Sequence, residues 1–98
     1  MRERGWKAMT GAERAEFRRL ANGLKPIFQI GKEGVGENLI KSVDEALDKR
    51  ELIKLAVLET SALSLKDASS MLAQAVQAEI IQSIGRKFVL YRKKPEEK

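Results

Sequence analysis

Apolar residues recur at intervals of three and four in three stretches of this chain and crowd together in four shorter ones. That pattern predicts the order helix, strand, helix, strand, helix, strand, strand. The first helix begins at Thr10, where Thr10-Gly11-Ala12-Glu13 fits a capping box. In such a box a hydroxyl and a carboxylate three residues apart each satisfy a free backbone N–H. Phe17, Leu20, Ala21 and Leu24 continue as one apolar stripe, and Pro26 ends the helix by pushing its predecessor out of the helical region. Ile27 to Ile30, bounded by Pro26 and Gly31, reads as a short buried strand.

A second helix is predicted from Glu37 to Lys49, with Leu39, Ile40, Val43, Ala46 and Leu47 on one face. Glu37 complements the dipole at its start, and Lys49 and Arg50 complement it at the end. Leu52 to Leu58 alternates poorly but is dense in apolar residues, as expected of a central strand covered on both faces, with Lys54 near an exposed margin. The third helix starts near Ser64 and shows Leu65, Ala68, Leu72, Ala75 and Val76 on its face; Glu79, at the next position, breaks the pattern. Ile80–Ile84 and Phe88–Tyr91 form two short strands around a hairpin turn at Gly85-Arg86-Lys87.

Strand–helix–strand steps favour parallel neighbours, whereas a hairpin is antiparallel. The expected fold is therefore α/β, a mixed four-stranded sheet packed with three helices. Ninety-eight residues allow one such domain, placed at residues 10–92. Residues 1–9 are expected to be a flexible arm that Trp6 or Met9 can pin, and residues 93–98, with Pro95, a charged flexible tail.

Composition narrows the chemistry. With neither cysteine nor histidine, disulfides, thiolate metal sites and the usual neutral-pH general base are excluded, and no metal or cofactor is expected. No long apolar run or N-terminal apolar segment suggests a membrane span or a secretory signal, so a cytoplasmic location is expected. The net charge of +5 is unevenly spread. Residues 1–25 hold seven basic and three acidic groups, residues 81–98 six and two, and residues 35–80 five and eight. Two basic ends attract phosphate if the fold joins them, and merely aid solubility if it does not.

Gly31-Lys32-Glu33-Gly34 joins the first strand to the second helix. Glycine there opens backbone angles closed to other residues and lets a sugar-phosphate chain come close. The N–H groups opening the following helix favour an anion, and Lys32 adds a charge at the tip. Glu33 opposes a phosphate and is expected to point outward or pair with a base. The spacing fits neither a nucleotide-binding loop nor a dinucleotide fingerprint. By itself the pattern describes a tight turn more readily than a clamp. Arg86 and Lys87 in the hairpin, Arg92, Lys93 and Lys94 after it, and Arg14 and Arg18 four apart on the first helix are further phosphate candidates. Each of these also fits an ordinary solvated surface.

Four segments in register add a resemblance. Leu20-Ala21-Asn22-Gly23-Leu24-Lys25-Pro26, Ile30-Gly31-Lys32-Glu33-Gly34-Val35, Glu51-Leu52-Ile53-Lys54-Leu55 and Ile84-Gly85-Arg86-Lys87-Phe88-Val89-Leu90-Tyr91-Arg92 resemble the YhbY-like, or chloroplast RNA splicing and ribosome maturation (CRM), domain. The resemblance runs from about Thr10 to Arg92. It implies a KH-like fold similar to the C-terminal domain of translation initiation factor 3. It also implies RNA binding through the G-x-x-G loop Gly31, Lys32, Glu33 and Gly34, with a basic surface at Lys25, Lys54, Arg86 and Arg92. Stand-alone bacterial members are associated with precursors of the large ribosomal subunit, and plant members with group II intron splicing. Gly36 departs from the family, many of whose members have Thr or Ser there, so the second helix has a weaker cap.

The expected function is non-enzymatic binding of structured RNA, ribosomal RNA or pre-large-subunit particles, by a monomer without a small-molecule substrate. A ribosome-associated protein adaptor is the alternative. Catalysis would have to rest on carboxylates such as Asp44, Glu45 and Asp48, which read more simply as a solvated helix face.

Overall fold

The computed structural model describes residues 10–93, so the expected arm at 1–9 and all but the first residue of the tail lie outside the described residues. Three helices and four strands follow one another as α1 (Gly11–Ala21), β1 (Pro26–Ile30), α2 (Glu37–Arg50), β2 (Leu52–Val57), α3 (Leu65–Val76), β3 (Glu79–Ile84) and β4 (Lys87–Tyr91). The strands form one mixed sheet in the order β1-β2-β4-β3. β1 runs parallel to β2, while β4 lies antiparallel to both β2 and β3. β2 and β3 are thus parallel, as a strand–helix–strand step favours, but β4 is inserted between them. No described helix is long and apolar enough to cross a membrane.

The sheet carries helices on both faces, unequally. On one face α2 and α3 enclose the main core, in which Ile30, Val43, Leu47, Leu55, Leu72, Phe88 and Leu90 are fully buried. On the other, α1 covers only one end: Phe17 and Ala21 meet Leu52, Ile81, Val89 and Tyr91. The Phe17 and Tyr91 rings lie 4.3 Å apart between centroids at a 31° tilt. The half of that face beyond Lys54 has no helix over it. Gln29, Ala56, Lys87 and Ile84 lie side by side across it, with Ile84 67% exposed.

Local chemistry accounts for the element ends. Thr10 Oγ1 accepts the Glu13 N–H at 3.1 Å and Glu13 accepts the Thr10 N–H at 3.0 Å, completing the capping box. α1 stops at Ala21, earlier than the apolar stripe through Leu24 suggests. The Asn22-Gly23 pair turns there, and Gly23 and Leu24 donate back to Leu20 and Ala21. As expected from Gly36, α2 has no side-chain cap. At Ser64 the hydroxyl accepts the Asp67 N–H at 3.1 Å to open α3.

Three expectations need correction. β1 is an edge strand, not a buried one: it pairs only with β2, and an irregularity between Pro26 and Phe28 leaves Ile27 41% exposed. β2 does alternate: Ile53, Leu55 and Val57 are buried, while Leu52, Lys54 and Ala56 are half-buried because α1 shields only the Leu52 end. Finally, Gln77 in a left-handed conformation ends α3, so Glu79 opens β3 instead of continuing the helical face. That face buries Ser69 and Ala73 and leaves Ala75 exposed.

Burial and the nearby carboxylates Glu51, Glu13 and Glu79 raise the pKa of the Tyr91 phenol above its ordinary value of 10.0. The native state therefore holds the phenolic proton more tightly than the unfolded chain. This contribution to stability is complete below the unfolded pKa and is lost as pH rises through the folded one. Urea unfolding at increasing pH should show an alkaline decline that is smaller in Tyr91→Phe than in the parent chain.

Candidate nucleic-acid interface

The glycine loop is a tight turn, closed by the Gly34 N–H donating to the Gly31 carbonyl at 3.0 Å. Gly34 has φ +70°, the left-handed angle that glycine adopts without a Cβ penalty. The turn rests on the β2–α3 connection: a Cβ built on Gly31 would lie 3.5 Å from Leu58 Cδ1, and one on Gly34 3.6 Å from Leu63 Cδ1. Lys32 and Glu33 are both exposed at its tip, and Glu33 points outward without an ion pair among the described residues. Of the two positions expected for it, the outward one is adopted.

The hairpin comes to the same end of the sheet. Gly85 (φ +64°) and Arg86 form a two-residue turn between paired Ile84 and Lys87, the arrangement with glycine first that suits the twist of a hairpin. Two backbone bonds tie the loops together. Val57 donates to the Arg86 carbonyl at 2.7 Å, and Leu58 donates to the Ile30 carbonyl at 2.9 Å. Between the hairpin and the β2–α3 connection lies an open depression of about 380 Å³, lined by Val57, Leu58, Leu63, Leu65, Ser61 and Arg86 among others. Arg86 stands 4.0 Å from Glu59, but both side chains are largely exposed, so water screens this pair and leaves the guanidinium available. Lys87, exposed, and Lys54, half-buried, project on the sheet face that α1 leaves uncovered, and neither has an acidic partner among the described residues. Gly31, Lys32, Gly34 and Arg86 thus share one end of the sheet with Lys87, while Lys54 lies further along the same open face, opposite Pro26.

The other candidates lie elsewhere. Arg14 is a packing residue: its guanidinium donates to Glu79 Oε2 at 2.7 Å and to the Ile80 carbonyl at 3.2 Å, fastening α1 to β3. Arg18 is exposed on α1 and has no ion pair among the described residues. Lys25 lies at the opposite end of β1 from the glycine loop, beside Arg50, which sequence position alone marks only as a helix-end cation.

Arg92 departs furthest from expectation. Its side chain, 20% exposed, donates to Asp44 Oδ1 (2.6 Å), Asp48 Oδ1 (2.8 Å), the Asp44 carbonyl (2.9 Å) and the Val76 carbonyl (2.8 Å). Its own N–H reaches the Glu51 carbonyl at 2.9 Å. Arg92 therefore binds α2 to the end of α3, and the carboxylates read as a solvated face are its partners. Nothing in the sequence reveals this pairing, because 48 residues separate Arg92 from Asp44. Among the described residues no three acidic side chains converge as metal ligands.

Three helices on a mixed four-stranded sheet, with a glycine turn beside a basic hairpin, define an α/β domain. The chain belongs to the CRS1 / YhbY (CRM) domain family, whose pattern matches residues 9–92. It is 40% identical over 90 residues to the Bacillus subtilis protein named Probable RNA-binding protein YqeI, covering 92% of this chain and 94% of that protein. It is 34% identical over 94 residues to Probable RNA-binding protein MJ0652 of Methanocaldococcus jannaschii, covering 94% of this chain and 69% of that one. A Staphylococcus aureus protein solved in solution superposes with a TM-score of 0.68 at 40% identity, over 93% of this chain and 95% of that chain.

Replacing Arg92 by alanine removes charge-assisted bonds and leaves a helix-end carbonyl without its donor. It should lower unfolding stability by about 2 kcal/mol, the half-exposed aspartates keeping the loss from being larger. Chemical denaturation will show this, whereas Arg86→Ala should leave the midpoint within about 0.5 kcal/mol of the parent.

Proposed function

We propose that this chain is a non-catalytic RNA-binding domain that docks structured RNA on the end of the sheet formed by the glycine turn and the hairpin, in the service of large ribosomal subunit assembly. The observation that carries this reading is the meeting of Gly31–Gly34, Arg86 and Lys87 at one end of the sheet, where among the described residues the cations have a single distant ion-pair partner, Glu59. The names of the relatives from Bacillus subtilis and Methanocaldococcus jannaschii support RNA as the ligand. The assembly role rests on the family resemblance.

The chemistry divides between backbone and side chains. A tight turn held by the left-handed angle at Gly34 exposes its Lys32–Glu33 tip to a sugar-phosphate backbone, as in the KH clamp. Lys32, Arg86, Lys87 and Lys54 supply charge that phosphates neutralise, with release of counterions. Among the described residues no aromatic ring is free to stack here: Phe88 is fully buried, Phe28 packs against the core, and Tyr91 and Phe17 are engaged with each other at the far end. Selectivity by base stacking is accordingly weak, and recognition follows the shape and backbone of the RNA.

A salt titration against a ribosomal RNA fragment provides the test. The affinity should fall steeply with salt, and Lys32→Ala combined with Arg86→Ala should reduce the slope of log K against log salt by about two. The same pair should weaken co-sedimentation with pre-large-subunit particles. Binding that stays weak at low salt, or ignores both substitutions, overturns the reading.

A further inference from the structure

At the opposite end of β1 from the glycine turn is a second concentration of positive charge. Lys25, Arg50 and Lys54 surround a shallow depression of about 170 Å³ whose floor is Leu24, Ile27, Leu52 and Ile53. The fold forces the three cations together. Lys25 precedes β1, Arg50 ends α2 just before β2, and Lys54 stands opposite Pro26 in the β1–β2 register. None of them pairs with a carboxylate of the described residues, in contrast to Arg14, Arg19, Arg86 and Arg92. Three like charges gathered without a counter-ion among the described residues create a local positive potential that an anion relieves.

β1 connects this corner to the glycine turn. Its five residues, at about 3.3 Å each, set the two sites about 15 Å apart. β1 is an edge strand and contains no acidic residue, so nothing along it repels a phosphodiester chain. The exposed Ile27 and Gln29 leave it uncharged throughout.

We infer that the Lys25–Arg50–Lys54 corner is a second phosphate seat, and that a single strand of RNA runs along the β1 edge from this corner to the Gly31–Gly34 turn. The inference rests on the RNA binding proposed above and adds the path of the strand and Arg50 as a contact. The charged heads hold a phosphate at the rim, while the apolar floor accepts the sugar or base beside it.

The test compares oligouridine binding by the full chain, by Lys25→Gln with Arg50→Gln, by Lys32→Gln with Arg86→Gln, and by Lys41→Gln with Lys66→Gln. The last pair removes the same charge from α2 and α3. Among the described residues none of the six side chains makes a hydrogen bond that supports the fold, apart from the screened Arg86–Glu59 pair, so the variants should fold. The corner pair is expected to lower the salt slope by about two, as the loop pair does, and the control pair by much less. A corner pair indistinguishable from the control, with the loop pair impaired, overturns the strand path and leaves the RNA reading intact. A parent chain that binds no RNA at low salt overturns that reading itself. Inorganic phosphate, followed by amide shifts of residues 24–27 and 50–54, provides a second arm. Shifts there together with the loss of salt slope support the seat. Shifts without that loss mark the corner as a site for small anions and overturn the strand path.

Discussion

Everything at the end of the sheet where the glycine turn meets the hairpin depends on how β2 pairs. Parallel to β1 and antiparallel to β4, it sits at the centre of the sheet and exchanges backbone hydrogen bonds with both neighbours. Parallel strands finish at the same end, so β1 delivers its glycine turn where β2 delivers the segment from Leu58 onward. An antiparallel neighbour begins where β2 finishes, which brings the Gly85-Arg86 turn to the same place. The bonds from Val57 to Arg86 and from Leu58 to Ile30 record that meeting. One strand's register thus assembles three loops separated in the chain into one surface.

The helices then divide the sheet into a supported face and an open one. α2 and α3 bury the aliphatic side of β2 and β4, while the shorter α1 covers only the end near Leu52 and Tyr91. Lys54 and Lys87 occupy the part that remains open. Cations near a basic terminus of the sequence do not all share that role. Arg14 and Arg92 have the partners and burial of fastening residues, each drawing a helix onto the sheet assembly. A charge count treats these arginines and the exposed lysines alike, although half-burial and multiple acceptors make the arginines far less available to phosphate.

Much of the fold was legible because its signals are local. The capping box at Thr10 and Glu13, the alternation of three- and four-residue spacings in α2, and the Gly85 hairpin each act within a few residues. The misplacements arose where a neighbour decides. Ile27 reads as buried in any sequence window, yet a strand paired on one side only leaves it exposed. Glu79 fits the spacing of α3, but the left-handed turn at Gln77 and pairing with Tyr91 claim it for β3. The glycine turn was legible as a motif, and its neighbours were not.

Taken alone, the sequence determined the order and kind of elements, the glycine turn, the uneven charge and the family resemblance, since all of these reside in spacing and residue type. Tertiary structure decided which cations are free. It engaged Arg92 with Asp44, Asp48 and Val76, held Arg14 on Glu79, and left Lys54, Lys87, Lys25 and Arg50 without acidic partners among the described residues. The physical reason is that an ion pair depends on distance in space. Contacts spanning 48 or 65 residues leave no trace in local periodicity.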